Sequence, residues 1–260
     1  MPSVVPLTYT QRYHVSFHHE GDVALLAASD AGIWAEEVYG DGWMAQHRLD
    51  EDGAIVESVD EDEGRRADLR PLTIPSTAVH PRRAWASMHL NIAGARHRGL
   101  READRLMDVV HSLPIADKLA VAAHLAIEPF AVLGIAESYV LAECALTAPN
   151  DLMICRRLRI AVAVPAQVGA DGLPFDYDTR ELYLLQRWRL SDEAPPLEHD
   201  LNGLPGVPMV RPMDLLRCGD ILFVGEGGAP GRASAVRALR IGGLPPPEDS
   251  EAALLRKLYG

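Results

Sequence analysis

The chain has 260 residues, 48% apolar and only 6% aromatic, enough for one large domain or two small ones with a core of Ala, Val, Leu and Ile. It carries 37 acidic against 25 basic side chains, a formal charge of −12 that repels phosphate backbones and anionic lipid and so disfavours nucleic acid and membrane as main partners. Lys118 and Lys257 are the only lysines, and neither follows a glycine-rich loop, which disfavours Walker A, protein-kinase and Schiff-base chemistry.

Met1 to Pro6 lack a basic segment followed by an apolar run, so no signal peptide is expected. Residues 12–59 read as an N-terminal antiparallel β-meander, with strands over 12–18, 22–28, 33–39, 43–49 and 54–59. Gly-Asp and Asp-Gly pairs between them supply the positive φ of tight turns. Residues 50–66 are strongly acidic and read as a solvated loop or linker. Pro71, Pro75 and Pro81 then lead into a helical middle segment.

Four helices are expected there. Trp85, Met88, Ile92 and Ala95 mark the first, and residues 101–113 the second. Ser112 caps a third with Pro114 in its first turn, whose stripe is Ile115, Leu119, Ala122, Ala123 and Ala126. The fourth runs from Pro129 to about Thr147, apolar nearly all round and so central to a core. His124, Glu128, Glu137 and Glu143 interrupt this region, so it is no membrane span.

A second β region follows, with strands over 158–164, 182–190 and 220–224, then a glycine-rich turn from Gly225 to Gly231. Pro245-Pro246-Pro247 precedes a short C-terminal helix over 249–259. The expected fold is therefore α+β, in regions 1–70, 71–150, 151–245 and 246–260, of which 71–245 can form one continuous domain. Cys144, Cys155 and Cys218 show no C-x-x-C spacing, which suits a reducing, cytoplasmic setting.

His18-His19-Glu20 with Asp22 is the densest ligand-type cluster, but adjacent strand residues point to opposite faces, so no metal is expected there. His124 and Glu128 form an i, i+4 pair, and no H-E-x-x-H signature accompanies them. Glu137 and Glu143, on an apolar segment, are either general acid–base groups or ion-pair partners of arginines. Asp176-Tyr177-Asp178 reads as a turn, and the Gly225–Ser234 stretch lacks Walker spacing and its lysine. No cofactor is expected.

Arg157 and Arg159 share one strand face, as do Arg187 and Arg189. Pairing of those strands would gather four guanidinium groups on one side of a sheet, to bind phosphate or the chain's own acids, and the charge favours acids. In the last helix, Leu254, Leu255, Leu258 and Tyr259 form an apolar stripe. Twelve residues make a marginal helix alone, so the stripe needs a docking surface on this chain or another.

Val210-Arg211, Asp214, residues 216–224 and Gly231-Arg232 together resemble part of the target-recognition domains of type I restriction specificity subunits, which implies DNA reading. Gly219-Asp220-Ile221-Leu222 also resembles a strand of papain-like cell-wall amidases, whose catalytic His follows directly. Here no His follows. One string that suits two unrelated families assigns the chain to neither. Residues 85–110 are similar to one tetratricopeptide unit, with His89 where that unit packs a glycine.

Three functions follow as expectations. The first is a soluble, non-enzymatic interaction or assembly protein, docking through its C-terminal helix on a protein partner or a second copy. The alternatives are a DNA- or RNA-recognition module and a metal-dependent hydrolase.

Overall fold

A computed structural model describes residues 3–29, 32–40, 44–60, 111–146, 151–164, 177–189 and 206–244. Of these, 67% lie in strands, and all strands pair antiparallel.

Sheet A has the order β1 (Ser3–Val5), β10 (Tyr177–Arg189), β9 (Asp151–Ala163), β8 (Val132–Ala145) and β7 (His111–Ser112), with β11 (Val207–Met209) also on β10. Sheet B has the order β12 (Pro212–Cys218), β13 (Ile221–Glu226), β14 (Ala235–Ile241) and β2 (Tyr9–Ser16). Sheet C is a meander of β3 (Asp22–Ser29), β4 (Gly32–Val38), β5 (Met44–Leu49) and β6 (Ile55–Asp60). The single α-helix among the described residues is α1 (Ile115–Leu125).

Alternation along sheet B sends its side chains into two cores. Leu215, Leu222, Val224, Leu239 and Ile241 pack with Cys144, Met153, Cys155 and Leu185 of sheet A. Leu216, Ile221, Phe223, Val236 and Ala238 pack with Val23, Leu26, Ile33, Ala35 and Leu49 of sheet C. Sheet B is therefore the middle layer. The far face of sheet A packs Leu158, Ile160, Leu182 and Leu184 against Val121 and Ala122 of α1. Gly225 lies where β13 meets β3: a Cβ there would sit 2.7 Å from Val23 Cγ1.

The α+β expectation is overturned. Pro129–Ala131 is a 3-10 turn, and residues 132–145, expected as a helix to Thr147, form strand β8. The reason is physical. Sheet A is covered on both faces, so its strands are apolar on both, a pattern that periodicity cannot tell from a buried helix. Three register shifts in the β8–β9 ladder also break the alternation of β8. The third expected helix is α1, but of its expected stripe only Ala122 is buried, beside Val121, while Ile115, Leu119, Ala123 and Ala126 are exposed. The strand expected over 12–18 joins sheet B as β2 rather than the sheet C meander. The helix expected over 82–98, residues 101–110 of the one expected over 101–113, and the C-terminal helix over 249–259 lie outside the described residues, while His111–Ser112 at the end of the second form strand β7. Among the described residues no helix is long and apolar enough to cross a membrane.

Leu222 is fully buried in the middle layer, whereas Leu119 is half exposed. Leu222→Ala should lower unfolding free energy by about 2–5 kcal/mol. Leu119→Ala should change it by less than about 0.5 kcal/mol. Urea titration of both variants checks the assignment of the core.

Candidate functional site

The in-register β9–β10 ladder fixes the four arginines. Arg157 lies opposite Tyr183, Arg159 opposite Glu181, Arg187 opposite Met153 and Arg189 opposite Asp151. All four share one face, yet Arg157 and Arg187 belong to rungs four residues apart, about 13 Å at strand spacing. They therefore make two separate groups.

Arg187 is buried. Its Nε and Nη2 donate to the two oxygens of Asp151 at 3.0 and 2.8 Å, and Nη1 donates to the Gly243 carbonyl at 3.0 Å. Arg159 donates to Glu137 at 2.9 Å and to Thr179 at 3.0 Å. Arg157 bonds the Glu181 carboxylate, which also accepts from the Tyr183 hydroxyl. Burial disfavours the charged form of Glu181, but these two donors outweigh it and hold its carboxyl below the ordinary value. Burial, reinforced by the bond to Glu181, pushes the Tyr183 phenol up to about 12. Arg189 is exposed at the end of β10. Leu254, Leu255, Leu258 and Tyr259 lie outside the described residues, as does Asp176.

The two loop motifs, His18–Asp22 and the turn over 227–234, meet between sheets B and C. Ser234 N donates to the His19 carbonyl at 2.9 Å, and Gly228 N to that of Gly21 at 2.7 Å. Glu20 accepts from Gly231 N at 2.6 Å, and Asp22 from Arg211 at 3.0 Å. Both acids of the His18–Asp22 cluster thus help hold the loops together, Asp22 through Arg211, which also donates to the Gly228 carbonyl. Among the described residues no group of three or more His, Cys, Asp or Glu side chains is placed to hold a metal ion.

Beside these loops lies a polar relay. Glu37 of β4 is 0% exposed. Its carboxylate accepts from Tyr39 Oη at 2.9 Å and from the Ser234 hydroxyl, and meets His47 Nε2 at 3.4 Å. The other imidazole nitrogen, Nδ1, lies 2.6 Å from Ser58 Oγ on β6. His47 and Ser58 are directly opposed across the β5–β6 ladder, and the Phe17 ring stacks on the imidazole at 4.1 Å. Burial works against the Glu37 charge, but the bonds from His47, Ser234 and Tyr39 outweigh it and lower its pKa. An anionic Glu37 can only accept, so it favours the tautomer with the proton on Nε2, which leaves the Nδ1 lone pair facing the Ser58 hydroxyl.

A second buried carboxylate, Glu226, lies at the end of β13. It accepts from Arg237 Nε at 2.9 Å and Arg232 Nη2 at 3.2 Å, with His14 Nε2 also at 3.2 Å. The turn over 227–234 therefore serves both carboxylates, through Arg232 and Ser234.

No family model matches the chain, and no curated protein or solved structure matches it.

The Ser58–His47–Glu37 relay was not read from the sequence. Counting outward from the Asp50–Gly53 turn pairs Leu49 with Ile55, but a bulge then pairs Arg48 with Glu57 and so His47 with Ser58. A regular ladder would have set His47 opposite Glu57. The relay therefore needs the bulge, which the sequence does not announce.

Removing Arg187 takes both guanidinium bonds from the buried Asp151 carboxylate, so Arg187→Ala should destabilise by about 3–5 kcal/mol. The half-exposed pair of Arg157 and Glu181 is worth less, and Arg157→Ala should cost no more than about 1 kcal/mol. Chemical denaturation of the two variants distinguishes the groups. Because its folded pKa lies below the unfolded one, Glu37 stabilises the fold above about pH 4.3, and that contribution fades as pH falls through its folded pKa. The stability gap between wild type and Glu37→Gln should therefore narrow between pH 5 and pH 3, measured by urea unfolding at each pH.

Proposed function

We propose that this chain is an interaction and assembly protein that self-associates through its C-terminal segment. The carrying observation is the outer face of α1. Ile115 and Leu119, one turn apart, are 79% and 51% exposed, and Phe130, on the turn just after the helix, is 84% exposed. Large apolar groups gathered on one short segment in water mark docking surfaces. The apolar pattern of Leu254, Leu255, Leu258 and Tyr259 matches such a surface in chemistry and length.

The occupant is the segment of a second copy. Leu244 packs into the core between sheets A and B, on the opposite side of sheet A from α1. Three consecutive prolines, Pro245-Pro246-Pro247, follow Leu244 in the sequence, a composition that favours a stiff, extended spacer over a chain that folds straight back. Arg157, Arg159 and Arg187 already hold carboxylates, which supports assembly over nucleic-acid recognition.

Light scattering after size exclusion tests this reading. The full chain should be oligomeric. Deletion of residues 245–260 and the substitution Phe130→Glu should each give monomers that unfold within a few degrees of wild type. A monomeric full chain, or a deletion that lowers the unfolding temperature and leaves the assembly state unchanged, would overturn it.

A further inference from the structure

We propose that Ser58 is an acyl-accepting nucleophile, with His47 as its general base and Glu37 as the residue that positions and charges the imidazole. The inference is independent of how the chain assembles. A serine hydroxyl is a weak nucleophile until a neighbouring base can take its proton. Here the base lies 2.6 Å from the hydroxyl oxygen, and its far nitrogen faces a fully buried carboxylate. The imidazole cannot turn away: Phe17 covers one face, and Glu37 is itself fixed by Tyr39 and Ser234.

The relay runs from buried to open. Glu37 is enclosed, His47 is 6% exposed, and Ser58 lies on the exposed strand β6. The relay thus meets solvent on its Ser58 side, from which an acyl group would approach. Ile55 and Val56, just upstream on the same strand, expose apolar side chains, so the substrate class is a carboxylic ester with an apolar acyl group.

In the reaction Ser58 Oγ bonds to the acyl carbon while its proton passes to His47 Nδ1. Collapse of the tetrahedral adduct breaks the carbon–alkoxy bond, and the departing alkoxide takes that proton as alcohol. Water then attacks the acyl-serine, His47 accepts its proton and returns it to Ser58 Oγ, and the carboxylic acid leaves. The positive charge that His47 carries between these transfers is balanced by Glu37. The nitrogen roles are the reverse of the common arrangement, since the serine lies at Nδ1 and the acid at Nε2. Either nitrogen serves, because only a lone pair aimed at the hydroxyl is required.

A biotinylated fluorophosphonate and p-nitrophenyl butyrate are the probes, with the full chain. General-base assistance is worth about 10²–10⁴-fold. Folded wild type should therefore take up one phosphonyl group, located on Ser58 by peptide mass spectrometry, at least tenfold faster than the same chain in urea. Ser58→Ala should abolish uptake and the release of p-nitrophenol. His47→Gln should reduce both to the urea level, and Glu37→Gln should slow both, with recovery in Glu37→Asp. The comparison of folded and unfolded wild type needs no variant to fold. Equal labelling of Ser58 in the two states, or labelling at other serines in its place, sinks the proposal.

Discussion

Sheet B is covered on both faces, by sheet A on one side and sheet C on the other, and every polar group it carries must be satisfied inside the protein. Three of its charged residues show how. Asp214 accepts from the backbone N–H of Leu26 at 2.7 Å, on β3, an edge strand of sheet C. Arg217 donates to the Leu146 carbonyl at 2.7 Å, where the chain leaves β8. Glu226 gathers Arg232, Arg237 and His14. Asp214 and Arg217 thus pin sheet B to sheets C and A through long-range bonds, whereas Glu226 ties together strands and a turn within sheet B itself.

The turn over 227–234 lies where this constraint relaxes. Its neighbours β13 and β14 are buried, but the turn itself reaches the open edge between sheets B and C. One end sends Arg232 to Glu226 and the other sends Ser234 to Glu37. Glu37 belongs to sheet C, so Ser234 is the bond by which sheet B holds the acid of the relay. The arrangement of His47 and Ser58 consequently depends on how the two sheets are docked. A polar network of this kind is fully bonded or strongly unfavourable, which explains why Glu37 is enclosed by three side-chain donors rather than left to water.

The sequence shows its structure best where one face of a sheet meets solvent. Strands β3 to β6 are punctuated by turn residues, among them Gly40-Asp41-Gly42 and Asp52-Gly53, and were legible to within a residue or two. It shows least where both faces are buried. Residues 132–145 are apolar on both sides, contain Ala and Glu that favour helices, and carry three bulges, so they read as helix and fold as strand. In β12 and β14 buried Asp214 and Arg217 and half-buried Arg237 interrupt the apolar runs, because their partners lie far along the chain. The arginines of β9 and β10 could be placed on one face by parity, but not their division into two groups, which the rungs of the ladder determine. The relay depended on a bulge in a hairpin, and no residue type marks that bulge.

The exposed face of α1 follows from the same layering. Sheet A presents Leu158, Ile160, Leu182 and Leu184 on its outer side, and a single short helix with the turn after it lies over them. Of the face formed by Ile115, Leu119 and Ala122, only Ala122, in the second half of the helix, is buried beside Val121, whereas Ile115 and Leu119 in its first half are exposed. Full burial of side chains of this size is worth about 1.5–3 kcal/mol each. Ile115 and Leu119, with Phe130 on the turn that follows, are the groups that the proposed self-association would take out of water.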